Sequence, residues 1–246
     1  NIEEAVTMAD RVLIFSSDPG RVKAEIPVGL PHPRDRDSPI FKQIVDEVYA
    51  IMTAQPQRAA GASPEVLSLG YRLPEASPYK IEGMLEALSE EPLYGKADLP
   101  QLADILQVPD DNLFHLLEAG RLFGFIKVEH GDVALLPAGH AYVGGNAAKR
   151  KELFAELLLA HISLASHIRR VLDERRDHRA PEDRFLQELE DYLTDDEAER
   201  VLGQVIAWGR YAEIFDYDYN SGILSLPDDE FEDDDREPPL NESMPA

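Results

Sequence analysis

Residues 110–136 read DDNLFHLLEAGRLFGFIKVEHGDVALL, and the change of pattern within this stretch decides the fold. Asp110 to Gly120 reads as a helix, and Asp110 or Asp111 can cap its first turn by accepting from a backbone N–H that has no partner inside the helix. After Gly120 the pattern turns to strand. Phe123 to Val128 and Asp132 to Leu136 flank His130-Gly131, a pair suited to the turn of a hairpin. Upstream, Leu99 to Gln107 and Tyr79 to Leu88 read as two further helices, so three helices lead into one small hairpin.

The same order recurs downstream. A long helix from Ala147 to about Asp177 precedes helices over Phe185 to Leu193 and Asp195 to Trp208. A hairpin of Ile214 to Tyr217 and Gly222 to Leu226 follows, turning through Tyr219-Asn-Ser-Gly222. Gly120-Arg121-Leu122 answers Gly209-Arg210-Tyr211 at the close of each third helix, and Leu135-Leu-Pro137 answers Leu224-Ser-Leu-Pro227. Three helices and a two-stranded wing make the winged-helix order. Two copies predict a mainly α chain with small β hairpins (α+β), with one winged-helix-like lobe over 79–145 and a second over 146–227.

Ahead of the lobes, Ile2, Ala5, Val6 and Ala9 sit at helical spacing. Arg11 to Phe15 then reads as a short apolar strand, and Arg21 to Pro27 alternates Val22, Ala24 and Ile26 against charged neighbours, so the two form a hairpin. From Pro39 to Thr53, Ile40, Phe41, Ile44, Val45, Val48, Ile51 and Met52 fall at three- and four-residue steps, the pattern of an amphipathic helix. Gln55 to Pro78 holds four prolines among Ala, Gly and Ser and reads as a linker with a short structured turn at Val66 to Leu69. These patterns divide the chain into a segment 1–55, a linker 56–78, the two lobes, and an acidic tail 228–246. The tail carries nine acids against Arg236 alone and cannot bury enough apolar surface to order itself.

Composition narrows the function. With 48 acids against 24 bases the net charge is -24, so the average surface repels nucleic-acid phosphates and anionic lipid headgroups. The absence of cysteine excludes disulfides, thiolate metal sites and cysteine nucleophiles, and it fits a reducing cytoplasm. No apolar run approaches the roughly 20 residues that span a bilayer, so direct membrane insertion is not expected. A start at Asn1 without Met, already in helical register, reads as a fragment of a longer chain.

The opening run Ile2-Glu3-Glu4-Ala5, then Ala9-Asp10-Arg11-Val12-Leu13-Ile14-Phe15-Ser16-Ser17 and Pro19-Gly20-Arg21, resembles the C-terminal part of an ATP-binding cassette (ABC) transporter ATPase. Together with Pro31, Pro33, Arg34 and Arg36 it is similar to the nitrate, sulfonate and taurine import class, over about residues 1–55. Residues 79–227 resemble the AAA-associated accessory domain that some of these ATPases carry. The resemblance implies an upstream ATPase domain and a membrane permease as partners, with ATP and Mg²⁺ as cofactors of the parent, at the cytoplasmic side of the inner membrane. It also implies a switch histidine immediately before Asn1. The sequence itself has no G-x-x-x-x-G-K-[ST] loop, no LSGGQ-like run and no apolar strand ending in Asp-Glu, so hydrolysis of ATP by this chain alone is not expected.

No residue is assigned a catalytic, cofactor-binding or metal-binding role. Glu3 and Glu4 are adjacent on one helix and point about 100° apart, which suits a solvated face. His161 and His167, six apart, do not share a helical face as a metal pair would. His161 falls instead in the series Phe154, Leu158, Ala165, Ile168 and Leu172, a seam for a neighbouring helix in the core or, in the sharper reading, a homodimer seam or a pH-sensitive contact. Arg169, Arg170, Arg175, Arg176 and Arg179 cluster near the end of that helix, where they oppose its dipole and can pair with Asp173, Glu174 and Asp177. The rival function is a DNA-binding or protein-interaction module. Against DNA, Asp110, Asp111 and Glu118 in the first copy and Asp195, Asp196, Glu197 and Glu199 in the second stand where base-reading helices carry basic residues. The aromatic series Trp208, Tyr211, Phe215, Tyr217 and Tyr219 either completes a core or stacks on a ligand.

Overall fold

The computed structural model describes residues 2–15, 21–53, 67–129 and 131–227. The first unit is α1 (Ile2–Met8), β1 (Arg11–Phe15), β2 (Val22–Pro27) and α2 (Pro39–Thr53). β1 and β2 pair antiparallel, with Val12 opposite Ile26 and Ile14 opposite Ala24. That register turns Ile14 and Ile26 inward, where Ile2 and Val6 of α1 and Phe41, Val45, Val48 and Tyr49 of α2 complete a small core. The period of the apolar residues alone dictates this arrangement: two for the hairpin, three to four for the helices.

Two copies of one topology follow. The first is α3 (Pro78–Ser89), β3 (Lys96–Asp98), α4 (Leu99–Leu106), α5 (Asp110–Leu122), β4 (Ile126–Glu129) and β5 (Asp132–Leu135). α6 (Pro137–Gly144) and α7 (Ala147–His161) connect it to the second: α8 (Ser163–Glu174), β6 (Arg179–Pro181), α9 (Glu182–Glu190), α10 (Asp195–Tyr211), β7 (Asp216–Asp218) and β8 (Ile223–Ser225). The sheets have the orders β3-β5-β4 and β6-β8-β7, antiparallel throughout. Three backbone hydrogen bonds that close each copy correspond. Leu99 N–H to Gly131 C=O (2.9 Å) matches Glu182 to Gly222 (2.8 Å), Phe125 to Gly120 (2.8 Å) matches Ile214 to Gly209 (3.0 Å), and Leu135 to Gly95 (2.9 Å) matches Leu226 to His178 (3.2 Å).

The structure corrects three readings. The long helix expected from Ala147 to about Asp177 is two helices, because Ile162 leaves helical dihedrals (φ −108°, ψ 100°) and α8 ends at Glu174. The first helix of the second copy is therefore α8, and α7 belongs to the connection. Each copy also has a third strand that pattern reading missed, since Lys96-Ala-Asp and Arg179-Ala-Pro are too short to show alternation and exist only through pairing with β5 and β8. The strands of both hairpins start later than expected, at Ile126 and Asp216, because the residues after α5 and α10 first turn back onto the helix. The acidic tail 228–246 and the turn residue His130 lie outside the described residues.

α10 begins at a capping box in which Thr194 and Glu197 satisfy each other's backbone N–H groups. It also contains two glycines in opposite surroundings. A Cβ on Gly209 would overlap the buried Phe215 ring, whereas one on Gly203 would meet nothing. Urea denaturation is accordingly expected to show Gly209→Ala destabilised by about 1–3 kcal/mol through overpacking. Gly203→Ala should be stabilised by up to about 1 kcal/mol through helix propensity. Equal effects at the two sites would show that the hairpin does not close on α10 as described.

Candidate functional site

Three features could carry function: a groove at the first unit, a strap across both copies, and a polar knot between them. The groove has a volume of about 410 Å³ and is walled by Ile2, Ala5, β1 and Met52 on one side and by Val108, Pro109 and Phe114 on the other. β1 pairs with β2 on one edge only among the described residues, and Leu13 (43% exposed) and Phe15 (62%) stand out from it. An apolar groove beside an unpaired strand edge is a surface suited to cover by another polypeptide.

Arg34 holds this unit in shape. Its side chain is fully buried and donates to the carbonyls of Val6 (2.8 Å) and Ala9 (2.6 Å) at the end of α1, to Leu30 C=O (3.2 Å) and Val28 C=O (3.4 Å), and to Asp10 Oδ1 (3.3 Å). The last carbonyls of a helix have no intrahelical donor, and a planar guanidinium can serve several at once. The Arg34 of the family-like Pro-rich motif is thus a structural clamp here.

The strap is residues 67–77, which composition reads as part of a linker. Leu67 pairs with the α7–α8 junction, its N–H bonding His161 C=O at 3.2 Å and its C=O accepting from Ser163 Oγ. Tyr71 Oη donates to Glu118 of α5 (2.7 Å), and Arg72 meets Glu197 of α10 (2.7 Å). Ala76 C=O accepts from Trp208 Nε1 (2.8 Å) and Gln204 Nε2 (3.0 Å), while its N–H bonds Gln204 Oε1 (3.1 Å). The Glu197 carboxyl is held below the usual range, first by the Thr194 N–H and then by Arg72. The strap therefore occupies a face of α5 and a face of α10.

The knot centres on Arg150 of α7, whose side chain is 17% exposed. It pairs with Glu82 and with Glu86 (2.6 Å), both on α3, and donates to the carbonyls of Val143 (2.9 Å) and Gly145 (3.0 Å). Tyr142 and Tyr211 share a 2.6 Å hydrogen bond beside it, and Tyr211 reaches Glu82 at 3.3 Å. Burial pushes both phenols up from their ordinary pKa. One cation thus binds α3, α6 and α7, and Tyr211 ties α10 to the same cluster.

The residues singled out from sequence are dispersed rather than brought to one centre. Glu3 and Glu4 lie in the first turn of α1, with Glu4 exposed. His161 ends α7, its pKa lowered by burial, while His167 on α8 bonds Glu188 at 2.6 Å and Arg170 at 2.9 Å. Phe154, Leu158, Ala165, Ile168 and Leu172 are all buried, but on two helices. Arg169 pairs with Asp173 (3.1 Å) and Arg175 with Asp177 (3.1 Å). Trp208 and Phe215 are fully buried, whereas Tyr217 and Tyr219 open onto the surface. Among the described residues no three His, Cys, Asp or Glu side chains form a metal-binding group, and no helix is long and apolar enough to cross a membrane. Sequence reading named Arg34 only as a motif residue and passed over Arg150, because each gathers partners from separate segments and leaves no periodic signal.

Residues 100–218 match the C-terminal AAA-associated domain family. Among curated proteins, the chain is similar to an aliphatic sulfonates import ATP-binding protein of Bacillus licheniformis, 46% identical over 48 residues, covering 20% of this chain and 19% of that protein. A second protein of that name from Pseudomonas syringae pv. tomato is 43% identical over 47 residues, covering 19% and 20%. A putative ATP-binding protein of Brucella melitensis biotype 1 is 43% identical over 61 residues, covering 23% and 26%. The chain spans about a fifth to a quarter of the length of these relatives. No solved structure matches.

Proposed function

We infer, for a chain that belongs with the ATP-binding subunits of ABC importers and carries the C-terminal AAA-associated domain over residues 100–218, that its two lobes are the regulatory accessory unit of such a subunit. The import system would serve nitrate, a sulfonate, taurine or a similar small anion. The observation that carries this reading is that the first unit is packed on the first lobe while a strap joins that lobe to the second. α2 lies on the first lobe, where the Tyr49 and Phe114 rings are 6.0 Å apart, and the strap then ties α5, α10 and the α7–α8 junction together.

A unit without a phosphate cradle acts by binding. If it binds something differently in two states of the parent, it shifts their populations by that difference in affinity. The upstream ATP-binding core would cover the β1 edge and its groove, and ATP and Mg²⁺ would belong to that core. A membrane permease would be the second partner, placing the subunit at the cytoplasmic face of the membrane. Occupation of α5 and α10 faces by the strap, added to the charge of -24, supports a winged-helix pair used for protein contact rather than for duplex DNA.

The test is the full-length subunit reconstituted with its permease, with and without residues 79–246. Basal ATP hydrolysis is expected to persist in the truncated form while the response to transported substrate or metabolite is lost. A typical coupling of about 1–3 kcal/mol would make that response several-fold or more. Loss of basal hydrolysis in a folded truncated subunit would make the lobes part of the motor and refute the regulatory reading.

A further inference from the structure

The two copies differ in what covers them. In the first, α2 packs on α4 and on the β4–β5 hairpin, with Tyr49 against Phe114 of α5 and the Asp46 carbonyl over Gly131 at the hairpin turn. The matched hydrogen bonds equate Leu99 with Glu182, Gly120 with Gly209 and Gly131 with Gly222. Counting along each helix from these anchors, Ala103 of α4 corresponds to Leu186 of α9, Phe114 to Gly203, and Leu117 to Ile206. In the second copy that same surface is an open groove of about 280 Å³. Leu186, Leu202, Gly203 and Ile206 form its apolar part, and Tyr217, Tyr219, Glu182 and Glu199 line the rest.

From this correspondence we propose that the groove between α9, α10 and β7 is a docking seat for an amphipathic helix of a partner protein, bearing Lys or Arg beside its apolar face. The first copy shows what fits such a seat: α2, an amphipathic helix. Where Phe114 projects toward α2, the second copy has Gly203, beside which a Cβ would meet nothing, so the seat leaves room for a large apolar side chain from the incoming helix.

The charge of the occupant follows from the lining. Glu182 accepts from Tyr217 Oη at 2.6 Å, and neither it nor Glu199 forms an ion pair among the described residues. The Tyr217 phenol is pushed up to about 12, first by that hydrogen bond. Tyr217 and Tyr219 pack edge to face at 85° with ring centroids 4.8 Å apart, and both line the groove beside the two carboxylates. Arg210, which does not line the groove, fixes Tyr219 from outside by a 3.0 Å bond to its hydroxyl and by stacking at 5.1 Å. A second copy's α2, with Asp46 and Glu47 against Lys42, brings the wrong charge. The seat does not depend on the transporter reading above, because its evidence lies within residues 39–53 and 79–227.

The experiment is calorimetric titration of this chain, at physiological ionic strength, with a Leu/Lys amphipathic helical peptide and with its Leu/Glu counterpart. Saturable one-site binding of the Leu/Lys peptide alone is expected. Gly203→Leu, which fills the seat, and the double change Glu182→Gln with Glu199→Gln should each weaken it by roughly tenfold or more, the scale of an interface hot spot. The melting temperature of Gly203→Leu should not fall, which separates a blocked seat from a misfolded one. As an equal-charge control, Asp104→Asn with Glu152→Gln should leave the affinity unchanged. The proposal is overturned if the Leu/Lys peptide does not saturate, if the Leu/Glu peptide binds as well, or if the control weakens binding as much as the groove variants.

Discussion

Arg34→Ala is expected to unfold the first 53 residues while the lobes stay folded. The substitution removes one fully buried side chain and with it the donors to four carbonyls from α1 and the Val28–Leu30 turn. Hydrogen bonds to a charged group contribute about 1.5–3 kcal/mol each when counted singly, and because these act together a combined loss of about 2–4 kcal/mol is the reasonable scale. A unit of two helices and one hairpin has little stability to spare. Amide exchange should therefore lose protection across α1, β1 and β2 and keep it in α5 and α10. Arg34→Lys should not rescue, because an ammonium lacks the planar fork that reaches several acceptors. Uniform loss of protection across the whole chain would show instead that the first unit and the lobes unfold as one.

Arg150→Ala is the second large effect, and it should loosen the joint between the copies. Removing the guanidinium leaves Glu82, about a quarter exposed, without its cation, and strands the carbonyls of Val143 and Gly145. Glu86 is 45% exposed, so its share is discounted for screening by water. The remaining loss is about 2–4 kcal/mol by the usual cost of breaking a partly buried pair from one side. Thermal melting followed by circular dichroism checks it. Glu82→Gln with Arg150→Ala should recover part of the loss, because the stranded charge is then gone, and a double-mutant cycle with no coupling would refute the pairing as the source.

Much of the secondary structure was legible because burial leaves a period in the sequence. The alternation in Val22, Ala24 and Ile26 and the three- and four-residue steps of α2 survive in the structure as a hairpin and a helix, with Ile26, Phe41, Val45 and Val48 buried while Val22, Ile40 and Met52 stay exposed. The pair Gly120-Arg121 and Gly209-Arg210 was legible for a similar local reason: each glycine carbonyl receives the chain that returns from the helix end, from Phe125 in one copy and Ile214 in the other. The break at Ile162 was not legible. No Gly or Pro marks it, and it is at this junction that the strap pairs, Leu67 N–H taking His161 C=O.

What the sequence by itself determined is the local grammar: the acidic balance, the helices and hairpins, their repeated order, and a likeness in the opening run to one class of import ATPases. Tertiary structure alone decided the rest. β3 and β6 are three residues long and have no pattern of their own, so only a partner strand makes them strands. The strap was linker by composition, and it is ordered by acceptors and donors supplied from residues more than a hundred positions away, such as Trp208 and Gln204. The roles of Arg34 and Arg150 exist only once the fold surrounds each with carbonyls and carboxylates from separate segments. Local periodicity reports which face is buried, whereas the identity of the group across that face depends on chain closure over long distances, and no window of sequence contains it.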